Sequence, residues 1–122
     1  MVIKLENLSF MACHGVLPEE KITPQQFILD VAVHLTYGEN VDLGDNLEKT
    51  LNYVQVYDII KHIMMQEQYD LIESICLRVG KKIVTAFPQM VESVNVAVTK
   101  VNPPIEGFVG TVKCEELITN GE

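Results

Sequence analysis

The sequence predicts an α+β fold: a four-stranded antiparallel sheet with two helices on one face, in the order β-β-α-α-β-β. Three observations carry that expectation. Two segments with period-two alternation open the chain, two segments with the 3.6-residue period of an amphipathic helix follow back to back, and alternation returns before the end. Strands met in such pairs are joined as hairpins, and consecutive helices cover one face of the sheet they accompany. No repeat, low-complexity tract or Pro/Gly/Ser-rich linker divides the 122 residues, so a single domain spanning 1–122 is expected.

The first strand is read over Val2 to Phe10. Ile3 and Leu5 share one phase and Leu8 and Phe10 the other, so the alternation shifts near Glu6-Asn7, as a bulge would make it do. From Gln26 to Leu35 the alternation is clean, with Phe27, Leu29, Val31, Val33 and Leu35 on one side. After a polar stretch, Val56, Ile59, Ile60, Ile63 and Met64 trace a helical stripe, with Asn52 as N-cap and Gln55 in capping-box position. Ile72, Ile75, Cys76, Val79 and Ile83 trace a second, with Asp70 and Glu73 at N-cap and N3 spacing and Pro88 closing it. Val94, Val96 and Val98 then alternate up to Lys100, Asn102-Pro103-Pro104 breaks the pattern, and a last strand is read from about Phe108 to Leu117. Four strands leave two open sheet edges. Pairing with further copies would satisfy them, so a ring-like oligomer is expected.

Nine basic against 17 acidic side chains leave a net charge of −8, which disfavours nucleic acid and anionic membranes as partners. Lys81-Lys82 is the only adjacent pair of cations. The longest apolar runs fall far short of the roughly 20 residues that span a bilayer. The start of the chain lacks the features of a secretory signal, and the three cysteines, Cys13, Cys76 and Cys114, form no CxxC and no even framework. A cytoplasmic, membrane-free protein is expected. His14, His34 and His62 have neither HxH nor HxxxH spacing, so no metal site is expected. Cys13 and His14 are neighbours whose side chains should point to opposite sides of an extended chain, which argues against a thiolate-imidazole pair.

Four polar residues depart from the pattern. Lys100 continues the parity of Val94, Val96 and Val98, which sets an ammonium in an apolar row, where desolvation would move it toward the range of a base. It would equally suit a strand-end lysine reaching for water. Glu73 is either a capping-box partner or a free carboxylate at a helix start. Tyr53 either packs on the first turn of its helix or offers its hydroxyl elsewhere. Glu20 lies in a loop, where a solvated carboxylate is the ordinary case.

These positions fall within a larger resemblance. His14-Gly15-Val16-Leu17-Pro18-Glu19-Glu20, Thr50-Leu51-Asn52-Tyr53, Leu71-Ile72-Glu73 and Thr99-Lys100-Val101-Asn102-Pro103-Pro104-Ile105 resemble, in order and spacing, the dihydroneopterin aldolase family of folate biosynthesis. The resemblance spans nearly the whole chain. It implies the tunnelling fold, four subunits in a ring, commonly two rings stacked as an octamer, and sites at subunit interfaces. Carried over by position, Glu73 would anchor the guanidine-like edge of a pterin with the Ile72 backbone. Tyr53 would reach the site from a neighbouring subunit, with Leu51 and Asn52 on the same side, and Lys100 and Glu20 would lie by the reacting side chain. Ala12 and Cys13 stand where many relatives have a glycine and an aromatic residue, and Glu106 where proline is frequent. These departures concern loop packing rather than the flagged side chains.

The implied reaction is retro-aldol cleavage of 7,8-dihydroneopterin, in which the ring's own C=N takes up the electron pair of the broken carbon-carbon bond. Such chemistry calls for proton transfers and for no cofactor, metal or Schiff base. Lys100 would be the base and Tyr53 the proton relay. The alternatives are an epimerase of dihydroneopterin or its triphosphate, and a non-catalytic pterin-binding ring protein. No added Lys or Arg cluster for a triphosphate stands near His14, Tyr53 or Lys100.

Overall fold

The computed structural model describes residues 1–121. Its elements follow the expected order: β1 (Val2–Ala12), β2 (Gln25–Leu35), α1 (Tyr53–Gln66), α2 (Ile72–Ala86), β3 (Val91–Lys100) and β4 (Val112–Thr119), with 3₁₀ turns at Pro18–Lys21 and Leu47–Lys49. The sheet is antiparallel throughout, in the spatial order β1-β2-β3-β4. The expected bulge is present. The β1–β2 register slips between Leu5 and Leu8, and Asn7 takes φ 58° with its N–H donating to Asp30 Oδ1 at 2.9 Å. The extra residue reverses the phase, so Phe10, Ala12 and His14 turn inward one after another.

The core lies between one sheet face and both helices. On β2, Phe27, Leu29, Val31, Val33 and Leu35 are buried, each removal from water contributing roughly 1.5–3 kcal/mol. Directly across, Val94 pairs with Val33, Val96 with Val31, and Val98 with Leu29. Val56, Ile60, Ile63 and Met64 of α1 and Ile75, Cys76, Val79 and Ile83 of α2 close over them. Tyr57 of α1 stacks on Phe10 of β1, ring centres 6.1 Å apart. The uncovered face is polar, with Lys4, Asp30, Asn95 and Glu115 among its side chains and Asn95 donating to Glu115 at 2.7 Å. Among the described residues no helix is long and apolar enough to cross a membrane.

Several boundaries differ from expectation. β1 runs on to Ala12 and β4 begins only at Val112. Phe108 and Val109 have strand-like side chains, but Gly107 (φ 78°) and Gly110 (φ 156°) on either side turn the chain away from the sheet. At α1, Asn52 is the N-cap as expected and its Oδ1 accepts from Val54 N at 3.0 Å, but the expected Gln55 capping box is not formed: Gln55 contributes only its main-chain N–H, which donates to the Asn52 carbonyl. At α2 the boundary residue is Leu71, not Asp70; the Asp70 carboxylate turns instead to Lys21. The Asp70/Glu73 capping box is therefore not formed, and Glu73 falls in the first turn without that duty.

Candidate active site

A cleft of about 470 Å³ opens where α2 begins, where β3 ends and where the β1–β2 loop crosses them. Glu20, Ile72, Glu73 and Lys100 all line it, brought from positions as far apart as 20 and 100. Val16, Leu71, Pro103, Pro104, Ile105 and Val112 supply apolar wall, and Asp70, Lys113 and Cys114 complete the lining. An apolar cleft with a few converging polar groups suits a small, flat, polar-edged molecule.

Lys100 reaches the cleft because it continues the β3 row, as its parity predicted. It stands opposite Phe27 in the β2–β3 register, its Nζ 6.0 Å from the centre of that ring. The lone ammonium expected from the pattern is instead half of a buried pair. Lys100 Nζ donates to Glu20 Oε2 at 2.8 Å, and the two side chains are 14% and 7% exposed. Glu20 is thus no solvated loop carboxylate. Gln25 Nε2 donates to the same oxygen at 3.0 Å, and Leu17 N donates to Oε1 at 3.2 Å. Burial pushes the Glu20 carboxyl up, but the bonds from Lys100, Gln25 and Leu17 outweigh it and hold the group below the usual carboxylate range. Gly15 makes room for this arrangement: a Cβ there would lie 2.3 Å from the Glu20 carboxyl carbon, and its φ of +149° disfavours any larger residue.

The wall carrying Glu73 is tied to the same loop. Gly15 N donates to Tyr69 O at 3.0 Å, and Gln68 Nε2 donates to Cys13 O at 3.0 Å and Lys21 O at 2.9 Å. Lys21 Nζ donates to Gly15 O at 2.8 Å and to the Asp70 carboxylate. Leu71 and α2 follow directly, which presents Glu73 and the main chain at Ile72 to the cleft. Gln25 and this tie were not found by sequence reasoning, because their partners lie in other segments.

Leu51, Asn52 and Tyr53 do not line the cleft of their own chain. Leu51 is 2% exposed within the core, and its N–H donates to Tyr37 Oη at 3.0 Å, so its side chain is not offered outward. Tyr37 Oη also bonds Thr50 Oγ1 at 2.8 Å, which fixes the approach to α1. The Asn52 side chain caps α1, and Tyr53 projects from the first turn at 60% exposure. The Cys76 thiol, packed behind the cleft wall, is pushed up to about 12 by burial and by the neighbouring Cys114. It donates to Cys114 O at 3.2 Å and has the character of a core residue. Among the described residues, no three His, Cys, Asp or Glu side chains gather as a metal-binding group.

Comparison with known proteins shows the family and the fold. The family model described as FolB, dihydroneopterin aldolase, matches residues 3–116. A dihydroneopterin aldolase from Staphylococcus epidermidis is 34% identical over 121 residues, covering 98% of this chain and 97% of that one. The Escherichia coli dihydroneopterin aldolase in complex with neopterin superposes with a TM-score of 0.82 at 16% identity, over 96% of this chain and 97% of that one. The Burkholderia thailendensis dihydroneopterin aldolase bound to guanine gives 0.79 at 15% identity, over 99% and 92%. This chain belongs to the dihydroneopterin aldolase family, the aldolases of folate biosynthesis with the tunnelling fold.

Proposed function

We propose that the cleft binds 7,8-dihydroneopterin and cleaves it to 6-hydroxymethyl-7,8-dihydropterin and glycolaldehyde by general acid-base catalysis. The observation that carries this reading is the meeting, in one apolar-walled cleft, of a carboxylate at a helix start, Glu73, with a buried Lys100–Glu20 pair. Glu73 accepts two N–H bonds from the flat amino-and-ring-nitrogen edge of the pterin, while the Ile72 backbone adds a further contact. Neopterin and guanine, held by the two related structures, share that edge.

The reacting side chain then extends toward Lys100. Lys100, as the free amine with one proton passed along its bond to Glu20 Oε2, takes the proton from the hydroxyl of the second side-chain carbon, directly or through an ordered water. The bond between the first two carbons breaks, its electron pair moves into the ring C=N to give an enamine, and glycolaldehyde leaves. Tyr53 relays a proton to the first carbon, which restores the C=N. Each positioned proton-transfer group supplies roughly a hundred- to ten-thousand-fold. Glu20 accepts from Lys100 Nζ and aims it.

In this reading the site is shared. Tyr53, with Leu51 and Asn52 behind it, comes from a neighbouring copy in a four-membered ring, two of which stack as an octamer, working in the cytoplasm. The exposure of Tyr53 and the open edges at β1 and β4 support it. Incubation with 7,8-dihydroneopterin, followed by assay of glycolaldehyde and chromatography of the pterins, tests the reaction. Release of both products in equal amounts is expected. A pterin epimer with no glycolaldehyde would mean an epimerase, and unchanged substrate a binding protein.

A further inference from the structure

His14 is 1% exposed, and both of its ring nitrogens are engaged. Nδ1 accepts the Tyr69 N–H at 3.1 Å, so the ring proton resides on Nε2, which donates to Met64 O at 2.9 Å. Neither partner is an ordinary helix group. Met64 lies in the last turn of α1, whose final carbonyls have no partner within the helix, and Tyr69 lies in the segment between the helices. One imidazole therefore caps the end of α1 and holds the main chain that leads into α2. The next residue completes the hold, since Gly15 N donates to Tyr69 O.

The same dipeptide touches the other half of the cleft. Gly15 lies against the Glu20 carboxyl, and the His14 ring meets Phe27 edge-on at 5.4 Å, Phe27 being the cross-strand partner of Lys100. We propose that His14 is a positioning residue, whose neutral ring sets the wall bearing Ile72 and Glu73 at its working distance from the Glu20–Lys100 pair. The inference rests on the function proposed above. Burial, reinforced by the nearby Lys100 charge and only partly opposed by the Met64 bond, holds the imidazole below its usual range. That keeps Nδ1 free to accept.

The two bonds can be separated by substitution. The amide of His14→Asn reaches the place of Nδ1 and keeps an acceptor for Tyr69 N, whereas that of His14→Gln reaches the place of Nε2 and keeps a donor for Met64 O. Four readouts are compared with wild type: kcat and KM for 7,8-dihydroneopterin, the dissociation constant of neopterin, melting temperature, and exchange of the Tyr69 amide followed by NMR. For His14→Gln, KM and the neopterin dissociation constant should rise roughly tenfold, the effect of leaving one buried donor without its acceptor, with kcat much less changed. Its Tyr69 amide should lose protection. His14→Asn should recover most of the affinity and the protection although it melts no higher than the Gln variant. In the wild-type chain, imidazole nitrogen shifts should show the proton on Nε2.

Equal weakening by the two variants, unchanged affinity in both, or a proton on Nδ1 would overturn the proposal. A wild-type chain that neither binds neopterin nor releases glycolaldehyde would overturn the functional reading instead. In that case Tyr69 exchange still decides whether His14 holds the segment leading to Glu73.

Discussion

Glu20 and Lys100 have opposite charges and unequal needs. Lys100 projects from a strand end at the cleft, whereas the Glu20 carboxylate is buried and depends on its donors. Lys100→Ala removes the proposed base, so kcat should fall by roughly a hundred- to ten-thousand-fold while neopterin affinity stays near wild type. It also leaves Glu20 with only Gln25 and Leu17. In the wild-type fold the carboxyl is held below its unfolded value of about 4.3. It therefore contributes stability that is present above that value and lost as pH falls through the folded one. With Lys100 gone, burial still pushes the group up, so acid destabilisation should begin at higher pH and stability at neutral pH should drop. Urea midpoints measured from about pH 3 to 7 check this, and superimposable acid limbs in the two proteins would refute the pairing. Glu73 predicts the converse behaviour. It is exposed and free of capping duty, so Glu73→Ala should leave the melting temperature nearly unchanged and abolish measurable pterin binding.

Helix α2 must come close to β4 to set Glu73 over the cleft, and Gly80 permits it. A Cβ at Gly80 would lie 2.3 Å from Ile118 Cδ1 and 2.9 Å from its Cβ, so the clash reaches the stem of the side chain as well as its tip. Gly80→Ala gains up to about 1 kcal/mol of helix propensity and incurs about 1–3 kcal/mol of overpacking. A lower melting temperature is expected in thermal unfolding; a higher one would show that the helix can lift without cost. The elements themselves were legible because period reports which side of a strand or helix meets the core. The phase change at Glu6-Asn7 located a bulge, and the parity of the β3 row placed Lys100 on the covered face. What period cannot report is a partner in another segment. Asp70 and Glu73 have capping-box spacing, yet Lys21 claims Asp70 across 49 positions. Glu20 has the local setting of a solvated carboxylate and becomes buried only when Lys100, 80 positions away, and Gln25 close around it. His14 escaped for the same reason. Likewise Phe108 and Val109 look like strand, but the two flanking glycines decide the backbone.

At the scale of the whole molecule, the sheet ends in two edge strands, β1 and β4, each paired along one side, and the cleft opens beside the latter. Tyr53, required by the proposed chemistry, projects from the start of α1 and does not line that cleft. Both facts are met at once if copies join edge to edge and each lends its Tyr53 to a neighbour. Sedimentation should then show a tetramer or octamer, and a stable monomer at working concentration would exclude the shared site. A sharper outcome follows for mixed assemblies. Tyr53→Ala and Glu73→Ala should each be nearly inactive alone, one lacking the relay and the other the anchor. When the two are unfolded together and reassembled in equal amounts, a site formed between copies receives an intact Tyr53 from one and an intact Glu73 from the other in about one case in four. Activity should therefore return to roughly a quarter of that of wild type carried through the same procedure, and vary with mixing ratio as the product of the two fractions. If each chain builds its site alone, every site keeps one defect and no mixing ratio restores turnover.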